Sequence, residues 1–503
     1  MSEQYELGKK MRIGAFWLYL QGGVISVVQF VAGIILARIL DPADFGVFYA
    51  VTAYTVILGL QIQFKLPTAL LQAKEIDDKQ INASFWFMMG LALLCTFVVF
   101  LFAGHLMRFY NDLRYVSIMR LLCINFFIMP YMSINGTLLR RQMDFKIVSQ
   151  IQVIVSLLSI VISISTALMG FGPYSLVISG IFSSSLSTIL MYRKAPWRPN
   201  FSFKIEGLKK LLSYSWRLHL NDSLSMFANR IDNMLVGGIL SVSALGIYNR
   251  SFNLSRMPVI EITSRLYEMV FTSFSRIQND LKHTVLMYQK VLSVMTTAVY
   301  PFLLILIFCG DGIISVLYGE KWLLCITPLK IMALGSFPYV IAVTLGALAD
   351  AQNLVAKETP IQIFNVIGTL IAVTIGQFWG LTGIAIGISI KSLLLMFFLQ
   401  RMLQVSHIKL HVKLVLNAIG PILIVSIISA IVAFVVSKTV VINFPKETLS
   451  FIILIAASIF VSYFISLFFL SKIFIHNDPL QANVELIKSA GVTVLKKVKR
   501  QRN

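Results

Sequence analysis

A band of polar residues follows one face of an otherwise apolar segment near the middle of this sequence. The segment reads SYSWRLHLNDSLSMFANRIDNMLVGGIL (213–240). In a helix, its polar side chains would fall within about 100° of one another; they are His219, Asp222, Asn229, Arg230 and Asn233. A face of this kind can hold a polar cargo or a coupling ion, H⁺ or Na⁺, and both roles stay open for these residues.

A second polar band lies in the next apolar segment, LGIYNRSFNLSRMPVIEITSRLYEMVF (245–271). As a helix, this segment carries a stripe about 120° wide and about 27 Å long, which is close to the hydrocarbon thickness of a bilayer. The members of the stripe are Arg250, Asn253, Glu261, Ser264, Arg265 and Glu268. In the simpler interpretation, Glu261 and Arg265 only pair with each other, since they are spaced i,i+4.

The composition identifies the elements that must position these bands. The chain is 57% hydrophobic and 13% charged, with a mean hydropathy of +0.81, whereas soluble domains are about 25% charged. Runs of about 20 apolar residues predict an all-α polytopic membrane protein with about fourteen transmembrane helices. The approximate spans are 13–37, 44–64, 84–104, 116–138, 147–169, 173–192, 212–238, 245–271, 290–318, 326–349, 360–378, 381–400, 413–436 and 448–471.

Basic residues outnumber acidic ones inside these spans. The bases are Arg120, Arg217, Arg230, Arg250, Arg256, Arg265, Lys330 and Lys391, and the acids are Asp222, Asp232, Glu261, Glu268 and Asp350. Charges at such depth cost several kcal/mol each unless they face water or one another, so the surplus predicts an aqueous cavity of positive potential. Arginine binds phosphate through two hydrogen bonds, which favours an anionic cargo. Arg217 and Arg256 lie off the stripes and are predicted to snorkel or to bind lipid head groups.

Most of the basic residues that give the chain its net charge of +21 lie in the loops between the predicted spans. With the N-terminus in the cytoplasm, roughly two thirds of the Lys and Arg residues fall in cytoplasmic segments, and the positive-inside rule then predicts that both termini are cytoplasmic. The N-terminal segment lacks the cleavage site of a signal peptide. The basicity is therefore interpreted as an orientation signal and a contact with anionic lipids, and no nucleic-acid partner is expected.

The chain contains an internal repeat. ILDPADFGVFY (39–49) matches ILSVSALGIYN (239–249), and further pairs follow in order, such as Tyr110 with Tyr318 and Pro130 with Pro338. A parallel repeat of six spans predicts two pseudo-symmetric lobes, the shape of an alternating-access transporter. Gly46 and Gly246 are then predicted to be close-packing points. The predicted divisions are an N-lobe (1–195), a C-lobe (196–405) with a basic linker (192–210), two further spans (406–475) and a basic amphipathic cytoplasmic tail (476–503).

Several kinds of chemistry have no signature in the sequence. No GxxxxGK[ST] motif is present, no nucleophile–base–acid set is recognisable, and His407 and His411 lack a third metal ligand. The four cysteines sit singly in or beside apolar spans and are predicted to be buried. We therefore expect no catalytic residues, no metal site and no cofactor.

Several short motifs carry a family resemblance that runs from about residue 8 to residue 405. They are ARILDPADFGVFYAV, LPTALLQAKEIDDKQINASFW, LLRRQMDFK, DNMLVGGILSVSALGIYNRSFNLSRMPV and YGEKW (318–322). Together they resemble the polysaccharide-exporter (Wzx-type) flippases of the multidrug/oligosaccharidyl-lipid/polysaccharide superfamily, in the lipopolysaccharide biosynthesis branch that includes the colanic acid exporter. The resemblance implies export of an undecaprenyl-pyrophosphate-linked oligosaccharide across the bacterial cytoplasmic membrane, with polymerase and chain-length proteins as possible partners.

One departure from related proteins affects the expected site. The related lipid II flippases carry an Arg-Asp pair in the first span, where this chain has Ala32 and Gly33, although Arg38 is retained. The C-lobe must therefore supply more of the cationic surface. The predicted substrate-binding residues are Arg230, Arg250, Arg265, Lys330, Lys391, Arg120 and Arg38, and the predicted polar-stripe or coupling residues are His219, Asp222, Asn229, Asn233, Asn253, Glu261 and Glu268.

Two other functions are weighed against the flippase. A cation-coupled multidrug exporter of the same superfamily would take cationic cargo, which a positive cavity repels. A non-transporting scaffold or a transferase of a surface-polymer assembly should show a large outer loop or a carboxylate-rich catalytic loop, and the predicted outer loops are short.

Overall fold

The computed structural model describes residues 2–108, 110, 114–195, 197–201, 205–276, 280–352, 358–405, 410–473, 479–481 and 483. Within these ranges, the structure describes only the backbone of residues 2–12, 106, 107, 114, 205, 206, 217, 265–273, 275, 276, 358 and 443. The described secondary structure is helical throughout. The chain divides into two compact units, Met1–Gly246 and Ile247–Asn503.

The first unit contains ten complete helices and the start of an eleventh. They are α1 (Ser2–Ile39), α2 (Pro42–Gln63), α3 (Leu66–Gln72), α4 (Asp78–Arg108), α5 (Arg114–Leu122), α6 (Ile124–Arg141), α7 (Phe145–Leu168), α8 (Tyr174–Lys194), α9 (Ile205–Ala228), α10 (Ile231–Ile239) and the beginning of α11 (Val242–Arg276).

The second unit contains the remainder of α11 and six further helices. They are α12 (Leu281–Ile313), α13 (Ile326–Ala351), α14 (Glu358–Gly376), α15 (Gly380–Val405), α16 (Val412–Asn443) and α17 (Leu449–Ile473). A π-helical turn (Ile314–Tyr318) and a 3₁₀ helix (Glu320–Cys325) connect α12 to α13.

Each predicted span overlaps one of these helices or a pair of consecutive helices. In the described part of the chain, eleven segments are long and apolar enough to cross a membrane, and one of these, Thr359–Val405, contains both α14 and α15. The charged α9–α10 pair and α11 are not among the eleven. The prediction of an all-α polytopic membrane protein is therefore confirmed, and the predicted count of about fourteen is compatible with the structure. Helices suit this environment because they satisfy their own backbone hydrogen bonds.

The outward faces of the helices carry large apolar side chains. On α4, Leu93, Phe97 and Leu101 are exposed, although water would disfavour such a face. The inward faces use smaller and more polar residues, and between α7 and α8 the amide of Gln152 donates to Ser187 Oγ at 3.0 Å. This distribution is typical of membrane proteins, where small residues and hydrogen bonds hold helices together.

The two glycines of the repeated motif contact each other's segments. A Cβ on Gly46 would lie 1.9 Å from the carbonyl oxygen of Val242, and a Cβ on Gly246 would lie 1.9 Å from the carbonyl oxygen of Pro42. The first turns of α2 and α11 therefore approach backbone to backbone. The prediction that both glycines are close-packing points is confirmed.

Replacing Gly46 or Gly246 with alanine is expected to lower the free energy of unfolding by about 3 kcal/mol, because the new methyl group would overlap a backbone oxygen that cannot move aside. Thermal unfolding of the purified protein in detergent measures the effect. Gly90→Ala is the matched control, since a Cβ on that helical glycine meets nothing within 4 Å. Equal loss of stability in all three variants would contradict the prediction.

The predicted amphipathic tail is described only at its start. There, Leu480 is buried, and the amide of Asn483 donates to Ser293 Oγ and Thr297 Oγ1 of α12 at 2.7 and 3.0 Å. These residues therefore pack against the second unit. The remainder of the predicted tail lies outside the described residues, as do the Lys and Arg residues near its end. The predicted lobe and tail boundaries stay predictions.

Candidate functional site

A break between α2 and α3 places a lysine beside the polar band of α9. Phe64 and Lys65 both adopt left-handed backbone conformations, with φ of 46° and 55°. Two consecutive non-glycine residues in this region are costly, and such strain often marks functional sites. The break lets Lys65 form an ion pair with Asp222, and the ring of Phe64 stacks on His219 with centroids 4.4 Å apart.

Hydrogen bonds extend this contact into a cluster, which we call the α2–α9 cluster: Gln61, Lys65, His219, Asp222 and Ser223. His219 Nε2 lies 2.8 Å from Gln61 Oε1, and the amide of Gln61 donates to Ser223 Oγ at 3.2 Å. His219 itself is buried. The cluster thus combines a cation, a carboxylate and an imidazole, the groups that can exchange a proton or release an ion pair when helices separate.

Lys65 and Gln61 were missed by the sequence analysis. Gln61 appeared as one polar residue near the end of an apolar span, and Lys65 appeared to lie in the loop beyond it. The available signal was Pro67, because proline two residues after Lys65 fits the first turn of a new helix.

The polar band of α9 does not continue along one helix. The prediction of a single continuous helix over 212–238 is wrong at Asn229 and Arg230, where the chain leaves α9 before α10 begins. The new helix start is supported by Asp232, whose carboxylate accepts from the backbone N–H of Asn233 at 2.8 Å. Arg230 is half-buried at this break, Asn229 is exposed and Asn233 is buried. Asn229, Arg230 and Asn233 therefore do not lie on one uninterrupted helix with His219 and Asp222.

Arg250 sits among aromatic rings in the second unit. Its guanidinium lies 4.9 Å from the ring centre of Tyr318 and 5.3 Å from that of Trp322. Both rings belong to the YGEKW segment, where Gly319 adopts a φ of 89° that other residues rarely accept. Ser251 secures the neighbouring turn by donating to the carbonyl of Cys325 at 3.1 Å. The motif thus presents two aromatic faces to one arginine, a favourable cation–π arrangement.

The remaining members of the α11 stripe differ in their surroundings. Asn253 and Ser264 are exposed, and Glu261 is half-buried. The side chains of Arg265 and Glu268 fall outside the described part of the chain, so the predicted pairing of Glu261 with Arg265 stays a prediction.

The surroundings of Arg256 differ from those predicted from the sequence. It was predicted to snorkel or to contact lipid head groups, but it is only 5% exposed. Its guanidinium donates to Ser392 Oγ at 2.6 Å and lies 3.5 Å from the ring centre of Tyr339. Helical periodicity placed Arg256 off the polar stripe and could not show that α13 and α15 cover that face. Arg256 therefore joins α11, α13 and α15 inside the second unit.

Lys330 is neutralised by Asp311, a carboxylate that lies within the predicted span 290–318 but was not counted among the acids of the spans. Its ammonium contacts both oxygens of Asp311, at 2.7 and 2.8 Å. Asp311 stands near the end of α12, and its proximity depends on how α12 packs against α13. The ammonium group of Lys330 therefore takes part in an ion pair inside the second unit.

Replacing Asp311 with asparagine is expected to lower the free energy of unfolding by about 2 kcal/mol, because it leaves a half-buried ammonium without its counter-charge. Thermal unfolding in detergent measures the loss. The double variant Asp311→Asn/Lys330→Met should recover most of it, since both charges are then removed. No recovery in the double variant would show that the stability comes from packing alone.

The remaining predicted cations lie in three other settings. Lys391 donates to Thr369 Oγ1 at 3.0 Å, beside an apolar groove of about 690 Å³ between α14 and α15. Arg120 is exposed, with its guanidinium 5.2 Å from the ring centre of Phe100. Arg38 is exposed in the last turn of α1. These residues have separate local environments, and the prediction that they bind substrate stays a prediction.

Among the described residues, no three His, Cys, Asp or Glu side chains come together as a metal-ligand set. All four cysteines are buried, as predicted.

The fold is that of a known class of membrane transporters. The chain is similar to a solved structure titled "Lipid II flippase MurJ, inward closed conformation", with a TM-score of 0.69, 15% identity and coverage of 90% of this chain and 99% of that one. It is also similar to a multidrug resistance MATE family transporter of the MOP superfamily in its inward-facing conformation, with a TM-score of 0.60, 16% identity and coverage of 76% and 95%. These likenesses establish the MATE-like membrane fold.

Sequence similarity then identifies the family. The family model described as "Polysaccharide biosynthesis protein" matches residues 35–327. The chain is also 21% identical over 386 residues to the lipopolysaccharide biosynthesis protein WzxC of Escherichia coli (strain K12), covering 76% of this chain and 78% of that protein. This chain belongs to the polysaccharide biosynthesis protein family.

Proposed function

We propose that this protein is a flippase that moves a lipid-linked oligosaccharide from the inner to the outer leaflet of the membrane. The family match over residues 35–327 is the observation that carries the proposal. Two likenesses support it: a relative named for lipopolysaccharide biosynthesis and a structure titled as a lipid II flippase. The protein translocates its cargo without making or breaking a covalent bond in it, so it is a transporter and not an enzyme.

The proposed cargo is an undecaprenyl-pyrophosphate-linked repeat unit, a precursor of O-antigen, capsule or exopolysaccharide. The proposed location is the bacterial cytoplasmic membrane, with both termini in the cytoplasm, because the basic loops and the N-terminus fall on the same side of the predicted spans. Anionic lipids would contact these loops. The polymerase and chain-length proteins that use the exported unit are its proposed functional partners.

Arg230 in the first unit and Arg250 in the second are each a proposed contact for the pyrophosphate. Both carry the planar, permanently charged group that binds phosphate oxygens in pairs. Lys330 and Arg256 are less suited to this role, because Asp311 neutralises the first and the interior of the second unit holds the other. The α2–α9 cluster is the proposed place where transport couples to a proton or a sodium ion, since it contains both an imidazole and an ion pair.

A transport measurement with purified components tests the proposal. Proteoliposomes containing the protein would receive a fluorescently labelled undecaprenyl-pyrophosphate oligosaccharide, and its arrival in the opposite leaflet would be followed by accessibility to a glycosidase. We expect movement at least tenfold faster than in protein-free vesicles, and a deletion strain should accumulate the lipid-linked unit in the inner leaflet. Equal rates with and without the protein, or accelerated movement only of a cationic dye, would overturn the proposal.

A further inference from the structure

An open cavity lies beside the α2–α9 cluster in the first unit. It encloses about 790 Å³ between the segment that follows α3 and the first turns of α9. Its polar lining consists of Gln72, Lys74, Glu75, Asp77, Lys210 and Tyr214, together with Gln80. The volume is within the range of small-ligand sites, roughly 300–1,000 Å³.

The chemistry of the lining distinguishes among possible ligands. Two acidic and two basic residues line the cavity, so it lacks the cationic surplus that a pyrophosphate requires. Amides and carboxylates provide both donors and acceptors, and a sugar hydroxyl is itself a donor and an acceptor. Tyr214 is 47% exposed and offers an aromatic face to the apolar C–H surface of a sugar ring. These features fit a neutral or weakly charged glycan.

The walls of the cavity are fixed by hydrogen bonds. Arg141 of α6 donates to the carbonyls of Leu70 and Ala73, at 2.7 and 2.6 Å, and thereby fixes the end of α3. Asp77 Oδ1 accepts from the backbone N–H of Gln80 at 2.7 Å, while Gln80 Oε1 accepts from that of Asp77. This reciprocal pair sets the start of α4.

Two contacts connect the opposite walls. The hydroxyl of Tyr214 on α9 donates to Gln72 Oε1 at the end of α3. Gly207 lies so close to Gln80 that a Cβ would approach its Cγ to 2.6 Å. The cavity is therefore formed before a ligand arrives, which lowers the entropic cost of binding.

We propose that this cavity binds the sugar residues of the lipid-linked oligosaccharide as it enters from the cytoplasmic side. The inference rests on the proposed function, which makes the cargo a glycan and gives the N-terminus a cytoplasmic location. Helix α2 runs back toward the side where α1 begins, so its end, α3 and the first turns of α9 face the cytoplasm. The cavity selects for the glycan part of the cargo.

Two separate probes test the cavity in the full-length protein reconstituted in nanodiscs. One is the water-soluble oligosaccharide released from the host's lipid-linked repeat unit by mild acid, and the other is undecaprenyl pyrophosphate without sugar. We expect Tyr214→Ala and Ala73→Trp to weaken binding of the oligosaccharide at least tenfold, because the first removes the aromatic face and the second fills the cavity. Tyr214→Phe, which keeps the ring, should retain most of the affinity.

The controls make each outcome informative. Lys209→Ala alters an exposed lysine adjacent to Lys210 that does not line the cavity, and it should bind as the wild type does. Undecaprenyl pyrophosphate should bind equally to every variant. The inference fails if the wild type does not bind the free oligosaccharide, if Ala73→Trp binds it normally, or if the variants lose undecaprenyl pyrophosphate instead. The proposed function fails separately, if wild-type proteoliposomes do not move the intact cargo.

Discussion

Exchanging the charges of Lys65 and Asp222 is expected to restore transport that either single replacement abolishes. Asp222→Asn or Lys65→Met should reduce movement of lipid-linked oligosaccharide in proteoliposomes to below about a tenth of the wild-type rate. The remaining charge would be left beside buried His219 without its counter-ion, and a tenfold rate change corresponds to about 1.4 kcal/mol.

The double variant Lys65→Asp/Asp222→Lys re-forms an ion pair between α9 and the break that precedes α3, so we expect it to recover at least a third of the wild-type rate. Asp78→Asn is the matched control, since Asp78 is an exposed acid at the start of α4. Thermal unfolding of each variant separates a defect in transport from a defect in folding. Wild-type rates in both single variants would show that the ion pair has no part in the transport cycle.

Replacing Arg250 with alanine is expected to abolish export of surface polymer while leaving the abundance of the protein near normal. The same result is expected for Arg230→Ala, because both arginines are the proposed pyrophosphate contacts. Arg250→Lys should restore only a small part of the activity, since an ammonium keeps the charge but loses the planar group that Tyr318 and Trp322 flank. Surface polymer by gel and protein by immunoblot measure the two quantities.

Two further variants sharpen this test. Trp322→Ala should raise the substrate concentration needed for half-maximal transport about fivefold, because it removes one of the aromatic faces that orient the guanidinium. Arg401→Ala is the matched control, since this exposed arginine contacts only the neighbouring Gln404 among the partners described for it. Normal export in both Arg230→Ala and Arg250→Ala would refute the cationic-site proposal.

Much of the fold was predictable because a membrane-spanning helix can be identified from its own run of about 20 apolar residues. Apolar length located the eleven segments that are long and apolar enough to cross a membrane, and the repeat located Gly46 and Gly246 as packing points. The site was less predictable. Helical periodicity indicated that His219 and Asp222 share a face, but their partners Gln61 and Lys65 come from α2 and from the break that follows it, and no local pattern in α9 encodes them.

The errors share a physical cause. The break at Asn229 and Arg230 is followed by an acid, Asp232, in the first turn of α10, and this pattern could not be distinguished from a polar stretch within a helix. Arg256 lay off the polar stripe, and only the packing of α13 and α15 shows that this face is covered. A position on a helix face can be predicted from spacing, whereas burial and pairing depend on which other elements pack against it.

The contact between Gly46 and Gly246 also links the two copies of the repeated motif. Each glycine meets the backbone that precedes the other, so the contact is reciprocal, as it is when two identical subunits meet about a two-fold axis. The two positions therefore constrain each other. Either glycine can be replaced only where the opposite copy leaves room for a side chain.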